Sequence, residues 1–374
     1  MQHDNSLASM FSDGDIASSA SGALYKLLLS DSVTQIVVND RRGLYYSDKD
    51  GIKWVTGPNG EDLFATKESY MLWIKELLGM THILETLEAN NGIIEGSFYY
   101  EKSGIHGSVH IVTDVITRRD PAVTIRKQPD DTITLDTMLG DGMLSYSMKN
   151  FLDIAVKGRA NILISGGGGV GKTTLARALS RCIDPNHRVV TIEEINELYI
   201  ADRLPNVVSM TTFDKYNSEG ILVDSVDTED LVREALRMRA DRIWIGETRG
   251  REAYALVKAC NSGHDGSCTT IHADGAAQAI KQLVTYTMEA GVSEEVAREQ
   301  VSQAFSVVVH MSKVRLGRRI ISEIVEVESV REGNTQRVNS LFKYNHNTDS
   351  YEQQGQPTGR LLKKWAEYGA NYNI

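Results

Sequence analysis

The chain has 374 residues, with 40 Lys and Arg against 50 Asp and Glu, for a formal net charge of −10. That length favours two domains, and a composition of 41% hydrophobic and 24% charged residues excludes a disordered chain. The three cysteines, Cys182, Cys260 and Cys268, exclude a disulfide scaffold, and the acidic balance counts against a dedicated duplex-DNA binder.

No run approaches the roughly 18 consecutive apolar residues of a membrane span. Met1–Asn5 lacks the basic start of a secretory signal. The expectation is therefore a cytoplasmic protein. Residues 1–22, rich in Ser, Asp, Gly and Ala, read as a flexible start. Ala23–Leu29 has a helical pattern, and Val33–Asn39 is β-branched and ends in a turn signal, so it reads as a strand. Tyr45–Tyr46 and Ile52–Val55 add strands. Met71, Ile74, Leu77 and Leu78 share one helical face, and Phe98–Tyr100 and Val109–Val112 read as further strands. The half spanning 23–125 is thus a smaller α+β domain, and 126–147, with Pro129 in an Asp-rich run, reads as the interdomain linker.

Beyond it, strands and helices alternate, the signature of a sheet covered on both faces. Asn161–Ser165, Val189–Ile192, Arg242–Ile245 and Cys268–Ile271 read as strands. Lys172–Arg181, Leu231–Met238 and Glu252–Cys260 read as helices, and Val307–Met311 and Ile320–Val327 as antiparallel strands closing a domain over 148–330. Residues 331–374 read as a C-terminal tail. Its segment Arg360–Trp365 carries a basic, partly apolar pattern, expected to pack on its own domain rather than on an acidic partner or a membrane.

The strongest motif is Gly166–Thr173, GGGGVGKT, which satisfies G-x-x-x-x-G-K-[ST] between a strand and a helix. Phosphates need several donors in a tight arc, and glycines let successive backbone amides of Gly167, Gly168, Gly169, Val170 and Gly171 converge on them. Lys172 supplies a point charge for the β- and γ-phosphates, Thr173 a hydroxyl ligand for Mg²⁺, and Thr174 follows at the helix start, whose dipole favours an anion. This is a P-loop. A second acidic element is required, and Arg242–Glu247 provides it: an apolar strand ending in Glu247, placed to orient or deprotonate water. Thr191–Glu197 also ends in acids, with Glu193, Glu194 and Glu197 suited to a Mg²⁺–water shell. Gly263–Ala273 brackets a Ser/Thr-rich strand with His264 and His272, without the spacing of a zinc site.

These four boxes, GGGGVGKTT, TIEEINEL, ALRMRADRIWIGETRG and NSGHDGSCTTIHA, resemble in order and content the secretion or traffic ATPases of type II and type IV secretion, pilus machines and conjugative transfer. The resemblance runs from about Ser30 to Val327 and is nearest the type IV branch, on Asp31–Ile36 and Thr124–Lys127 and on the lack of a four-cysteine module. It implies a RecA-like P-loop ATPase domain preceded by a smaller α+β (PAS-like) N-terminal domain, assembled as a homo-hexamer using ATP and Mg²⁺. It also implies inner-membrane secretion or pilus components as partners, a peripheral place at that membrane, and no nucleic acid as direct substrate. Carried over by position, Glu247 is the catalytic carboxylate, Glu193 positions water or holds Mg²⁺ through it, His272 meets the γ-phosphate side, and Arg126 reaches the phosphates. The chain departs from the family pattern at Ser108–His110, where an arginine is usual and is here either missing or replaced by Arg118 or Arg119, and at Ala240 and Glu194, where proline and aspartate are common. Two other readings share the same core: a nucleic-acid translocase or helicase, and a slow nucleotide-dependent assembly switch.

Overall fold

The computed structural model describes residues 20–30, 32–48, 51–57, 61–79, 92–100, 105–127, 133–217, 222–314, 317–328 and 337–372. The flexible start expected for 1–22 lies outside them except at its last three residues, which already belong to a helix. The chain forms two compact units: one takes the chain up to Asp131 with Asp214–Ser225, the other Thr132–Phe213 and Val226–Ile374.

In the first unit, α1 (Ala20–Leu29) and α2 (Lys67–Gly79) accompany β1 (Gln35–Asp40), β2 (Gly43–Asp48), β3 (Gly51–Val55), β4 (Ile93–Tyr100), β5 (Ile105–Val112) and β6 (Ala122–Lys127), with a short turn of helix, α3 (Asp114–Thr117), before β6. The strands form one antiparallel sheet in the order β3-β2-β1-β6-β5-β4. Alternation places Ile36 and Val38, Val109 and Ile111, and Val123 and Ile125 on one buried face. Tyr70, Trp73, Ile74, Leu77 and Leu78 of α2 are buried in the same core. Tyr70 donates its hydroxyl to the Pro121 carbonyl at 2.8 Å, which satisfies the polar end of a fully buried ring.

The second unit is built on β7 (Ile162–Gly166), β8 (Val189–Glu193), β9 (Val207–Thr211), β12 (Arg242–Ile245), β13 (Cys268–Ile271), β14 (Val307–Lys313), β15 (Arg319–Val327), β16 (Val338–Asn345) and β17 (Ser350–Gln353). Between β9 and β12, β10 (Phe213–Tyr216) and β11 (Leu222–Val226) pair with each other. The sheet order is β17-β16-β15-β14-β7-β13-β12-β8-β9. From β14 to β9 the strands are parallel, and β15, β16 and β17 continue antiparallel. The pattern of Val307–Met311 predicts an antiparallel strand; the structure makes it antiparallel to β15 but parallel to β7, so it joins the two halves of the sheet.

Parallel strands covered on both faces read as continuous apolar runs, and here every residue of β7, β8, β12 and β13 is buried. Their side chains alternate between two cores. Ile162, Ile164, Trp244, Val307 and Val309 point to one, with α4 (Leu135–Gly140), α5 (Tyr146–Lys157) and α6 (Lys172–Ser180). Leu163, Ile243, Ile245 and Val308 point to the other, with α7 (Thr228–Ala235), α8 (Glu252–Asn261), α9 (Ala276–Met288) and α10 (Glu294–Ala304).

Two parts of the expected organisation differ. The division between the units, at Asp131 and Thr132, falls within the span 126–147, but the described parts of that span belong to the units themselves: Arg126 and Lys127 close β6 inside the first sheet, and α4 and the start of α5 pack into the second unit. Residues 337–372 are not an appended tail: β16 and β17 extend the large sheet, and α11 (Gly359–Glu367) buries Leu361 and Trp365 in the first core. Trp365 lies edge-on to Phe151 at 5.3 Å, and a Cβ on Gly158 would come within 2.4 Å of its ring. Lys364 pairs with Asp265 at 2.5 Å.

Removing the Trp365 ring leaves a cavity between α5 and the sheet. Trp365→Ala is therefore expected to lose about 3–5 kcal/mol of stability, against at most about 1 kcal/mol for the part-exposed Lys364→Ala. Chemical denaturation of both variants checks this, and equal stabilities would detach the C-terminal helix from the core.

Candidate nucleotide site

The loop between β7 and α6 departs from ordinary backbone where glycine is needed. Gly166 has φ 152°, and a Cβ there would sit 2.5 Å from the Met311 carbonyl oxygen. Gly171 enters α6 at φ 102°. Gly167, Gly168 and Gly169 are exposed, and no atom lies within 4 Å of a Cβ built on Gly167 or Gly168. The loop thus presents an open arc of backbone at the N-terminus of a helix, the form of a phosphate cradle.

Lys172 is 8% exposed and its Nζ donates to the carbonyls of Gly166 and Gly167, both at 3.1 Å. Burial lowers its pKa, with Glu247 opposing. No carboxylate among the described residues lies within ion-pair distance of this ammonium. A buried cation that meets only neutral groups suits an anionic partner arriving from outside the chain.

The ends of β8, β12 and β13 converge beside the loop. His272, one residue past β13, has Nε2 3.3 Å from Lys172 Nζ and Nδ1 on Glu247 Oε1. An ammonium only donates and a carboxylate only accepts, so the tautomer that satisfies both carries its proton on Nδ1. Glu247 Oε2 accepts from Arg249 at 3.1 Å, and the other arm of Arg249 donates to Glu194 at 2.6 Å. Burial would raise the Glu247 carboxyl, but Arg249 and then His272 outweigh it and hold the group below its ordinary value. Threonines behind these side chains fix the backbone: Thr270 donates to the Gly246 carbonyl at 2.8 Å, and Thr248 and Thr269 share a hydroxyl contact at 2.8 Å.

Lys172, Glu247 and His272 therefore meet, as their motifs predict. Thr173 and Thr174 lie at the start of α6 with part-buried side chains. Glu193, expected to hold Mg²⁺ through water or to position the attacking water, is instead turned inward. It is 4% exposed, and its Oε1 accepts from the backbone amides of Glu197 and Leu198, both at 3.0 Å. Burial pushes its carboxyl up to about 8, against the two amides. The carboxylate beside Thr173 is Glu197, whose Oε2 accepts from the Thr173 hydroxyl at 3.4 Å. Glu197 and Arg249 were both within motifs the sequence displays, yet no spacing rule separates Glu197 from its two acidic neighbours. Among the described residues no group of three or more His, Cys, Asp or Glu side chains forms a metal cluster. A divalent ion would accordingly need the phosphates as further ligands. His264 serves its own turn through Ala259, with Nδ1 3.2 Å from that carbonyl. Arg126 is exposed on β6 of the first unit, opposite Gln35 and Ser108, and Arg118 and Arg119 are exposed just before that strand.

Residues 112–361 match the family described as Type II/IV secretion system protein. The conjugal transfer protein TrbB of Rhizobium radiobacter is 35% identical over 219 residues, 58% of this chain and 63% of that protein. The type IV secretion system protein VirB11 of Bartonella quintana (strain Toulouse) is 41% identical over 160 residues, 42% of this chain and 43% of that one. Among solved structures, the ATPase DotB of Legionella pneumophila superposes with a TM-score of 0.56 at 18% identity, covering 83% of this chain and 80% of its own. The chain thus shares the DotB fold, an α+β unit with an antiparallel sheet followed by an α/β unit on a mainly parallel sheet.

Glu193→Gln keeps an oxygen for the two amides but removes the ionisation. The native carboxyl is raised from about 4.5 to about 8, so the folded state holds an extra proton between those values and stability falls as pH rises through that window. Melting temperatures of the wild type should therefore drop more steeply than those of Glu193→Gln between pH 5 and pH 8, after subtraction of their common trend. Parallel profiles would remove the buried acid from this role.

Proposed function

The chain belongs to the Type II/IV secretion system protein family, and on that premise we propose that it hydrolyses ATP to power a type IV secretion, conjugative transfer or pilus machine. The single observation that carries the reading is the buried ammonium of Lys172, facing an open glycine arc with no carboxylate within ion-pair distance among the described residues. Triphosphate supplies the anion. Loop amides and Lys172 stabilise the charge that develops on the transferring group, where positioning and electrostatics do nearly all the catalysis.

Glu247, kept ionised by Arg249 and His272, orients the attacking water and accepts its proton. His272 connects that carboxylate to Lys172, so the two ends of the reacting phosphate are held by one chain of contacts. Mg²⁺ would be held by the Thr173 hydroxyl with Glu197 beside it, and would neutralise charge on the β- and γ-phosphates. Glu193 is a positioning residue in this scheme, fixing the turn that carries Glu197. For Arg126 the resemblance alone supports a part in phosphate binding.

A ring of six copies, coupling of hydrolysis to motion between the two units, and work at the cytoplasmic side of an inner membrane with secretion or pilus components complete the proposal. Family membership and the names of the relatives support the link to secretion and conjugal transfer, and the ring, the motion and the membrane place rest on the resemblance of the four motifs. No helix among the described residues is long and apolar enough to cross a membrane, which suits a peripheral partner.

Lys172→Ala should lose ATP binding and turnover together. Glu247→Gln should bind ATP with near-native affinity while hydrolysis falls about 10²–10⁴-fold. Equilibrium binding of a labelled ATP analogue and single-turnover phosphate release measure the two effects separately. Near-normal release from Glu247→Gln would take that residue out of the reaction.

A further inference from the structure

The opposite edge of the large sheet carries a second concentration of positively charged side chains. Arg242 begins β12, whose other end leads to Glu247, and it is 1% exposed. Its guanidinium donates to the carbonyls of Val156 at 3.0 Å and Gly266 at 3.4 Å, and its Nε faces His187 Nδ1 at 3.3 Å. Across the same imidazole, Arg159 Nη2 lies 2.7 Å from His187 Nε2. Guanidinium nitrogens only donate. A neutral imidazole has one acceptor nitrogen, and a protonated one has none, so two guanidinium groups bracket a ring that can satisfy only one of them.

These three side chains line a cavity of about 630 Å³, a size that admits a small-molecule ligand. Arg181 and Lys157 also line it, against two carboxylates. Of these, Asp153 is already paired with Lys157 at 2.7 Å, and Asp184 accepts from the backbone and side chain of Asn186, both at 2.9 Å. The nearest carboxylate to Arg159 is Asp241 at 3.8 Å, and that group is also held by the Arg188 amide at 2.8 Å. Burial pushes the Cys182 thiol in the wall up to about 12, so it contributes no negative charge. Burial, Arg242 and Arg159 each lower the His187 pKa, consistent with a ring crowded by cations. Tyr368 completes the site with an aromatic face under Arg159, 5.0 Å from its guanidinium carbon.

We infer that this cavity is a binding site for a phosphoryl oxyanion, bridging the Arg159 and Arg242 side of the His187 ring, separate from the P-loop. A planar guanidinium matches two oxygens of a phosphate at once, and the bridging anion resolves the imidazole's double demand. The phosphate could be borne by a soluble molecule or by a lipid headgroup, which present the same chemistry to the arginines.

The test uses the full chain carrying Lys172→Ala, so that the P-loop does not dominate phosphate binding. Inorganic phosphate, and separately vesicles of phosphatidylglycerol in phosphatidylcholine, are titrated against sodium chloride of matched ionic strength. Binding is followed by thermal shift and by the imidazole nitrogen resonances of His187. Phosphate should bind with a Kd below about 1 mM, move the His187 resonances, and lose at least about tenfold in affinity in Arg159→Gln. A response confined to the vesicles and equally sensitive to Arg159→Gln assigns the anion to a headgroup, and a phosphate response assigns it to a soluble molecule. Arg242→Met tests the buried partner, while the exposed-side Arg159→Gln keeps the test valid if Arg242→Met fails to fold. Responses equal to those with chloride, or insensitive to Arg159→Gln, or leaving His187 unmoved at saturation, would overturn the assignment whether or not the P-loop reading holds.

Discussion

A single buried ammonium organises the nucleotide end of the second unit. Lys172 is tied to the loop that precedes it through two carbonyls, which closes the loop upon its own helix. It is also tied to the end of β13 through His272, and from there to Glu247, Arg249 and Glu194 at the ends of β12 and β8. Desolvation of that charge is unfavourable without an anion nearby, and Glu247, the nearest attraction, is shared with Arg249 and His272. The arrangement is therefore electrostatically incomplete in a direction that phosphate oxygens complete.

The sheet makes this possible because parallel strands bring their carboxyl ends to one edge. β7 lies between β13 and β14, and β12 lies between β13 and β8, so the loop lysine and the Glu247 strand are separated by one strand. His272 follows that intervening strand and touches both. The same geometry explains Glu193. As the last residue of β8 it is covered by Gly246, where an added Cβ would meet its Cγ at 3.0 Å. The carboxyl is forced into the turn and Glu197 is left to face Thr173.

The strands of this sheet were legible because buried parallel strands are unbroken apolar runs, and the P-loop because glycine is required where φ is positive or backbones touch. Less was legible where the deciding fact is orientation. Glu193, Glu194 and Glu197 are three acids within five residues; one is buried on two backbone amides, one pairs with Arg249, one meets Thr173. Composition treats them alike, since only the register of β8 against β12 sorts them. The pairing of β14 escaped for a related reason. A strand with a parallel neighbour on one side and an antiparallel one on the other has no distinguishing pattern. Residues 337–372 read as a tail because their apolar residues are sparse, yet Leu341, Phe342, Leu361 and Trp365 are all buried in the core. The helices α9 and α10, amphipathic with short polar connections, carry no chemistry and drew no attention from motifs.

The two edges of the sheet present the same physical problem with different outcomes. At the carboxyl edge the buried cation lies beside a carboxylate, a histidine with a defined tautomer and a glycine arc open to solvent. At the amino edge Arg242 is buried as deeply, but its histidine neighbour is claimed by a second guanidinium. A chain gains no fold stability from setting Arg159 against that ring, since a leucine or methionine would fill the space without the desolvation cost. Both edges thus retain positive charge that packing alone does not require. Arg242 and Ile245 are the two ends of one short, fully buried strand, so both edges are mounted on β12.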